Sequence, residues 1–184
     1  MSEIKGFPKL YPKDIQLKIS ELIQAVYPDY TIPVDIEEIV EALGLEIVPE
    51  PGLKSDHGID AGVTSDFDAI LVDAQSYNSE DYLNRVRFSL AHELGHFVLH
   101  KDFYQKNTRR TKDSFKDFLF SLSDYQYRII EHQANVFAGR LLVPEDKIVD
   151  IAVTGRKELV ECSRMFQVSE QVILRRFEDI DNNA

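Results

Sequence analysis

His92, Glu93 and His96 stand in the order His-Glu-x-x-His within Ala91-His92-Glu93-Leu94-Gly95-His96. This is the spacing of a zinc-dependent hydrolytic site. A helix turns once in about 3.6 residues, so positions i and i+4 share one face. His92 and His96 can then offer ring nitrogens to one metal ion. Glu93 lies roughly 100° further round, where its carboxylate can hold a metal-bound water without filling a metal position. Two nitrogen ligands, an activated water and a base are the machinery for splitting an amide. Only three positions are fixed, so the same residues also fit two ordinary helix histidines beside a surface glutamate. Context favours the metal: residues 84–100 read as one amphipathic helix without proline.

A catalytic zinc site normally has three protein ligands and one open position, so a third side chain is required. One class of site takes it ten residues after the first histidine, past a glycine. Here those two positions hold Leu99 and Asp102. The missing glycine disfavours that class, although Asp102 itself can bind metal. His100 continues the i, i+4 series, but a further turn lies about 5.4 Å along the axis. That suits a supporting or packing role better than a third bond to one tetrahedral ion. Glu131, in Glu131-His132-Gln133-Ala134-Asn135-Val136-Phe137-Ala138, is the better candidate. It shares a helical stripe with Asn135 and Ala138, beside a core stripe of Tyr127, Ile130, Ala134, Phe137 and Leu141. Ala134 and Ala138 are small, as are Ala91 and Gly95, so the two helices can approach closely enough for a shared metal. His132 is the local rival, about 100° round from Glu131. On the residues alone, Glu131 as ligand and Glu131 as solvated carboxylate both stay open.

The elements that must carry these groups follow from periodicity and punctuation. Apolar residues at helical spacing predict a helix over 12–27, stopped by Pro28. Asp35 suits the N-cap of a helix over 36–43, with Gly44 at its C-terminal end. Residues 45–48 predict a strand closed by Pro49 and Pro51, and 54–58 a loop. Residues 59–64 and 69–73 read as two further strands joined by Ser65-Asp66-Phe67-Asp68. The apolar run Ala69-Ile70-Leu71-Val72 is either buried on both faces or an edge strand that pairs with an extended substrate. Ser79 or Asp81 is expected to cap the metal helix. Residues 101–113 are polar and locally basic, with a solvated loop as the default and a flap or basic partner patch as the alternative. A short helix over 114–121 turns Phe115, Phe118 and Leu119 inward. A long helix spans 124–142 and ends at Pro144. Weaker helices over 147–153 and 156–166 are split by Gly155. Ser169 caps a last helix that reaches about residue 180, and the final residues read as a frayed tail.

Bulk properties narrow the class. The 184 residues are 43% hydrophobic and 29% charged, ordinary for one globular domain or one with a small appendage. A net charge of -11 argues against nonspecific binding to nucleic acid or anionic membranes. A single cysteine, Cys162, excludes an internal disulfide and points to a reducing, cytoplasmic setting. Cys162 itself reads as a packing residue. No apolar run approaches the roughly 20 residues of a membrane span. The opening residues carry no signal-peptide pattern. Nothing repeats at a fixed period.

Taken together, the stretches Arg87-Phe88-Ser89-Leu90-Ala91-His92-Glu93-Leu94-Gly95-His96, Leu99-His100, Glu131 to Ala138 and Leu141-Leu142-Val143-Pro144 resemble the ImmA/IrrE zinc metallo-endopeptidases, a gluzincin-like family. Pro33 to Ile39, Leu43-Gly44-Leu45 and Phe166-Gln167-Val168-Ser169 resemble its flanking elements, so the likeness runs over residues 32–177. The resemblance implies zinc held by His92, His96 and Glu131, with Glu93 as catalytic base. It also implies a protein substrate, a helix-turn-helix transcriptional repressor, cut or relieved in stress responses or mobile-element induction. The basic 101–113 stretch and the helical extension over 9–27 depart from the family pattern.

A hydrolytic cycle also needs a donor to the oxyanion and groups that orient the imidazoles. His100, His132, Asn135, Tyr125, Tyr127 and Arg140 are the candidates. Two rival readings stand beside the peptidase. One is a non-catalytic antirepressor or toxin-antitoxin partner that binds a regulator through the same fold, which the intact Glu93 counts against. The other is a DNA-binding regulator, because residues 157–166 and 168–180 have helix-turn-helix spacing. The acidic residues mixed with Arg175 and Arg176 oppose it, and no direct nucleic-acid or membrane partner is expected. The expected fold is α+β: a small, twisted, mostly antiparallel sheet of three or four strands on the metal helix, surrounded by helices. The expected division is an N-terminal helical extension over 1–30, a metallopeptidase core over 31–144, and a C-terminal helical segment over 145–184 packed on that core.

Overall fold

The computed structural model describes residues 6–108, 115–154 and 159–181. Its elements follow in chain order. Helix α1 (Pro12–Val26) and α2 (Ile36–Ala42) lead into strand β1 (Glu46–Glu50), the short helix α3 (Leu53–His57), and strands β2 (Ala61–Val63) and β3 (Ala69–Asp73). A short α4 (Ala74–Tyr77) and a single 3-10 turn precede the long α5 (Leu83–Asn107). Then come α6 (Phe115–Ser121), α7 (Asp124–Leu142), α8 (Glu145–Thr154), α9 (Leu159–Phe166) and α10 (Glu170–Asp181). None of the described helices is long and apolar enough to cross a membrane.

The fold is α+β, with a three-stranded sheet in the order β1-β3-β2. The sheet is mixed rather than mostly antiparallel. β1 runs parallel to β3, with Glu46 opposite Ala69, and β2 runs antiparallel to β3, with Gly62 opposite Leu71. The mixture follows from connectivity: α3 and β2 intervene between β1 and β3, and such a crossover returns the chain in the same direction. β3 is therefore the central strand, and Ile70 and Val72 are fully buried. The edge strand nearest the metal helix is β2. Pro49 sits in the other edge strand, β1, where its missing N–H costs no ladder bond.

Local chemistry explains most boundaries. Asp35 caps α2 by accepting from the Glu38 N–H at 3.1 Å. Gly44 takes φ +76° just beyond that helix, a left-handed conformation in which a side chain would be strained. Ser123 and Gln126 form a capping box that starts α7 at Asp124. Elsewhere packing overrides the pattern. The stretch expected as a loop at 54–58 is helical in α3, and the Asp73 carboxylate accepts the Lys54 N–H at 3.0 Å. Neither Ser79 nor Asp81 caps α5: a 3-10 turn over Glu80–Tyr82 leads into it instead. The basic stretch is not a loop up to Asn107 but the last turns of α5. Phe103 and Tyr104 are buried there against Phe115 and Phe118 of α6, which repays the helix for its polar outer face. The rest of that stretch, the break expected at Gly155 and the tail lie outside the described residues.

One buried cluster joins α1, α2, β3, α5, α7 and the C-terminal helices, through residues such as Ile19, Ile39, Ile70, Leu94, Phe137 and Phe166. Buried Arg87 ties two of these parts to α5, donating to the Val34 carbonyl at 2.6 Å and the Gln167 carbonyl at 3.2 Å. A second, aromatic cluster of Phe67, Phe103, Tyr104, Phe115 and Phe118 packs over the C-terminal half of α5. The candidate site lies at the junction of the two clusters.

Candidate metal centre

The site is made by the crossing of α5 and α7. A Cβ on Gly95 would meet the Ala134 Cα at 3.3 Å and the Phe137 ring at 3.1 Å. The two backbones therefore touch where the small residues predicted a close approach. The crossing sets His92 and His96 on α5 against Glu131 on α7. Nε2 of His92 and Nε2 of His96 are 3.0 Å apart. Each lies 3.5 Å from a different oxygen of the Glu131 carboxylate. Among the described residues these three form the group of potential metal ligands, with one ligand atom from each within 4.8 Å of the others.

The hydrogen bonds behind the imidazoles fix which nitrogens face inward. Oδ1 of Asn135 is 3.2 Å from Nδ1 of His92. A carbonyl oxygen only accepts, so Nδ1 carries the proton and Nε2 presents a lone pair. Nδ1 of His96 is 3.0 Å from Nδ1 of His100, whose Nε2 is 2.9 Å from Oε1 of Gln133. That oxygen accepts from His100 Nε2–H, so Nδ1 of neutral His100 accepts from His96 Nδ1–H. Nε2 of His96 is then also a bare lone pair. Burial pushes the His100 pKa down to about 3, which keeps the ring neutral. With both imidazoles neutral, two nitrogen lone pairs and a carboxylate thus converge, and a divalent cation fits that donor set.

The electrostatics agree with a site that wants a positive charge. Burial opposes ionisation of Glu131, but hydrogen bonds and charge from His92 and His96 outweigh it and hold its pKa well below the usual carboxylate range. Burial also opposes a charge on His92. In the metal-free chain the hydrogen bond that a protonated His92 donates to Glu131, together with the charges of Glu93 and Glu131, outweighs that in turn and raises its pKa.

Glu93 stands beside this group on α5, as its spacing predicts. Its Oε2 accepts the Val63 N–H of edge strand β2 at 3.0 Å. The cavity over these residues measures about 310 Å³. Its walls include the stretch from Gly58 to Val63, the apolar residues Phe88, Phe115 and Leu119, and the polar residues Lys116 and Tyr127. Phe115 also sets its ring edge against His96, with centroids 5.2 Å apart.

The supporting candidates separate clearly. His100 and Asn135 touch the two imidazoles from behind, and Tyr127 lines the cavity. The Tyr127 pKa is raised, first by burial and then by the charges of Glu131 and Glu93. Tyr127, expected both in the core stripe of α7 and as an oxyanion candidate, packs against the aromatic cluster, stacks on Phe120 and lines the cavity. Tyr125 is 74% exposed and takes no part. His132 is exposed and lines a different hollow, with Val136 and Arg175. Arg140 is buried away from the site, bonded to Asp179 and the Pro12 carbonyl. Asp102 is exposed and lies outside the ligand group. Arg176, on the would-be recognition helix of the DNA-binding reading, is buried against the Val143 carbonyl and Asp179.

Sequence reasoning missed Gln133 and the Val63 amide. A glutamine on a core-facing position of α7 was a signal, since a buried amide needs partners. The amide of Val63 left none, because backbone groups look alike in every sequence.

No curated protein matches the chain. Residues 76–178, more than half of its length, match the IrrE N-terminal-like domain, a family of peptidases. The match begins at the approach to α5 and takes in the paired histidines, Glu93 and Glu131, so it covers every residue of the converging group. The elements before α4 lie outside it. On that match the chain belongs to the IrrE N-terminal-like family of peptidases.

Proposed function

We propose that the protein is a zinc-dependent endopeptidase, with His92, His96 and Glu131 as metal ligands and Glu93 as general base. The observation that carries this reading is the convergence of three proton-free donors beside a carboxylate at the mouth of a cavity. Zinc held by these residues would supply a Lewis acid to the scissile carbonyl and lower the pKa of a water toward neutrality.

The remaining work falls to the chain. Asn135 and His100 keep both imidazoles in the tautomer that leaves Nε2 free. Glu93, held through one oxygen by the Val63 N–H, keeps its other oxygen for the attacking water. It takes the proton of that water and passes it to the leaving amine. In β2 the backbone of Gly62 is committed to β3, so by alternation Ala61 and Val63 turn their backbone groups outward. An extended peptide laid along that edge runs past Glu93, which supports cleavage within an unfolded stretch of a protein. The Tyr127 phenol is the hydroxyl available to the oxyanion.

The substrate proposed is a helix-turn-helix transcriptional repressor, cut in the cytoplasm during a stress response or induction of a mobile element. The family membership supports a peptidase substrate, and the net charge of -11 favours a protein partner over nucleic acid.

Zinc titration of the purified full chain, with cleavage of candidate repressors followed by mass spectrometry, tests the reading. One zinc per chain and a Glu93→Gln variant that retains zinc but does not cleave are expected. Cleavage unchanged by Glu93→Gln would overturn the mechanism.

A further inference from the structure

The chain of hydrogen bonds behind His96 does not end at Gln133. Its Nε2 donates to the Pro8 carbonyl at 3.0 Å and to the Leu10 carbonyl at 3.3 Å. Both acceptors belong to the segment that precedes α1, which lies outside the stretch matched by the family. The two ends of a glutamine amide are nearly the same size, so only its partners decide which way it points. Two carbonyls on one side demand the NH2 group there, and this leaves Oε1 for His100.

We propose that Gln133 is a positioning residue for the metal site, set by the Pro8 and Leu10 carbonyls, so that the segment before α1 determines which nitrogen of His96 faces the metal. The inference rests on the metal-site reading and adds to it a control point outside the motif.

Reversing the amide shows what is at stake. A flipped Gln133 would offer N–H to Nε2 of His100. His100 would then carry its proton on Nδ1 and donate to Nδ1 of His96. His96 would have to carry its own proton on Nε2, directed at Glu131 and into the metal position. One amide rotation, with two protons changing nitrogens, thus turns a ligand into a blocked site. Gln133 is 3% exposed and His100 fully buried, so no water is at hand to replace a lost partner. The segment is held in turn by the T-shaped pair of the Phe7 and Phe103 rings, with centroids 5.6 Å apart, and the start of α1 beyond it by Arg140 Nη1 at 3.4 Å from the Pro12 carbonyl.

The test uses the full chain, with zinc as the probe. Two-bond proton–nitrogen NMR of the zinc-loaded wild type should show His100 protonated on Nε2. Protonation on Nδ1 overturns the proposal without any variant. Gln133→Leu removes the acceptor and should lower zinc affinity on the order of 10- to 100-fold, the usual effect of removing a group behind a metal ligand. Gln133→Glu keeps an acceptor toward His100 but turns its second oxygen onto the Pro8 and Leu10 carbonyls, so it should leave His100 protonated on Nε2 while it loosens the segment before α1. Phe7→Ala loosens the segment and should shift the His100 nitrogen signals. Wild-type affinity and His100 signals in Gln133→Leu overturn the proposal, as does a folded Gln133→Glu variant with His100 protonated on Nδ1. A wild-type protein that takes up no zinc sinks the metal-site reading itself, which separates the two failures.

Discussion

Helix α7 carries two buried polar groupings that differ in how their charges are closed. Toward one end, Glu131 faces His92 and His96 across α5, and with both imidazoles neutral every inward atom is an acceptor. Toward the other, Arg140 and Arg176 share Asp179, with Arg140 Nη2 at 2.8 Å and Arg176 Nη1 beside it. There donors meet acceptors: Arg176 Nε also reaches the Val143 carbonyl at 3.0 Å, and only the buried Arg176 Nη2 is without a partner among the described residues. The arginine grouping staples α10 to α7. The histidine grouping has the donor set for a cation, and it opens on a cavity. Burial of charge alone does not mark function. A buried set that lacks one sign does, because its partner must arrive from solution.

The sharpest break between the two regions should come from Glu93→Gln. Loss of a general base lowers turnover by about 10²- to 10⁴-fold, with zinc content and thermal stability unchanged, as read by peptide cleavage beside a melting curve. Asp179→Ala should do the reverse. It leaves two buried guanidiniums without their shared carboxylate and costs about 3–5 kcal/mol of stability, measured by denaturant unfolding, while zinc binding at permissive temperature persists. Asn135→Ala frees the His92 ring and should weaken zinc by roughly 10- to 100-fold, seen by competition with a chelator.

A pH series separates the regions further. In the metal-free protein the raised His92 pKa contributes stability that is present in acid and lost as pH rises through it. The lowered Glu131 pKa contributes stability that is present above its ordinary value of 4.5 and lost as pH falls toward the folded value. The pair therefore stabilises the zinc-free chain most between the ordinary glutamate and raised histidine values. Zinc competes with the proton for the same atoms, so its own stabilisation should grow with pH. Unfolding midpoints with zinc and with chelator, taken across that range, check the opposite signs. The smallest effect should be Arg85→Ala. Its 2.6 Å contact with Asp60 at the cavity rim is half exposed, so loss stays within about 1 kcal/mol.

Much of this was legible in the chain. The limits of α7, the cap at Asp35 and the turn at Gly44 follow from local rules, because caps and left-handed glycines act within a few residues. The facing of His92 and His96 follows from helical period alone. The end of α5 was not legible: Lys101, Lys106 and their neighbours read as a solvated loop, while Phe103 and Tyr104 hold the helix through contacts with α6 that no local window contains. Tyr127 sits on the border between the aromatic cluster and the cavity. Its place on the apolar stripe is real, but the stripe runs out of the core at the cavity.

The sequence by itself determined that His92 and His96 share one helix face with Glu93 beside it, and that a glutamate is available on a second helix with small residues beside it. The structure decided that α5 and α7 cross where Gly95 meets Ala134, so that Glu131 rather than Asp102, His100 or His132 faces the pair. It also decided that β2 is the strand that holds Glu93, and that Gln133 ties His100 to the N-terminal segment. Periodicity assigns each side chain to a face of its own element. Which faces meet depends on packing between segments far apart in the chain, and a metal site exists only where they meet.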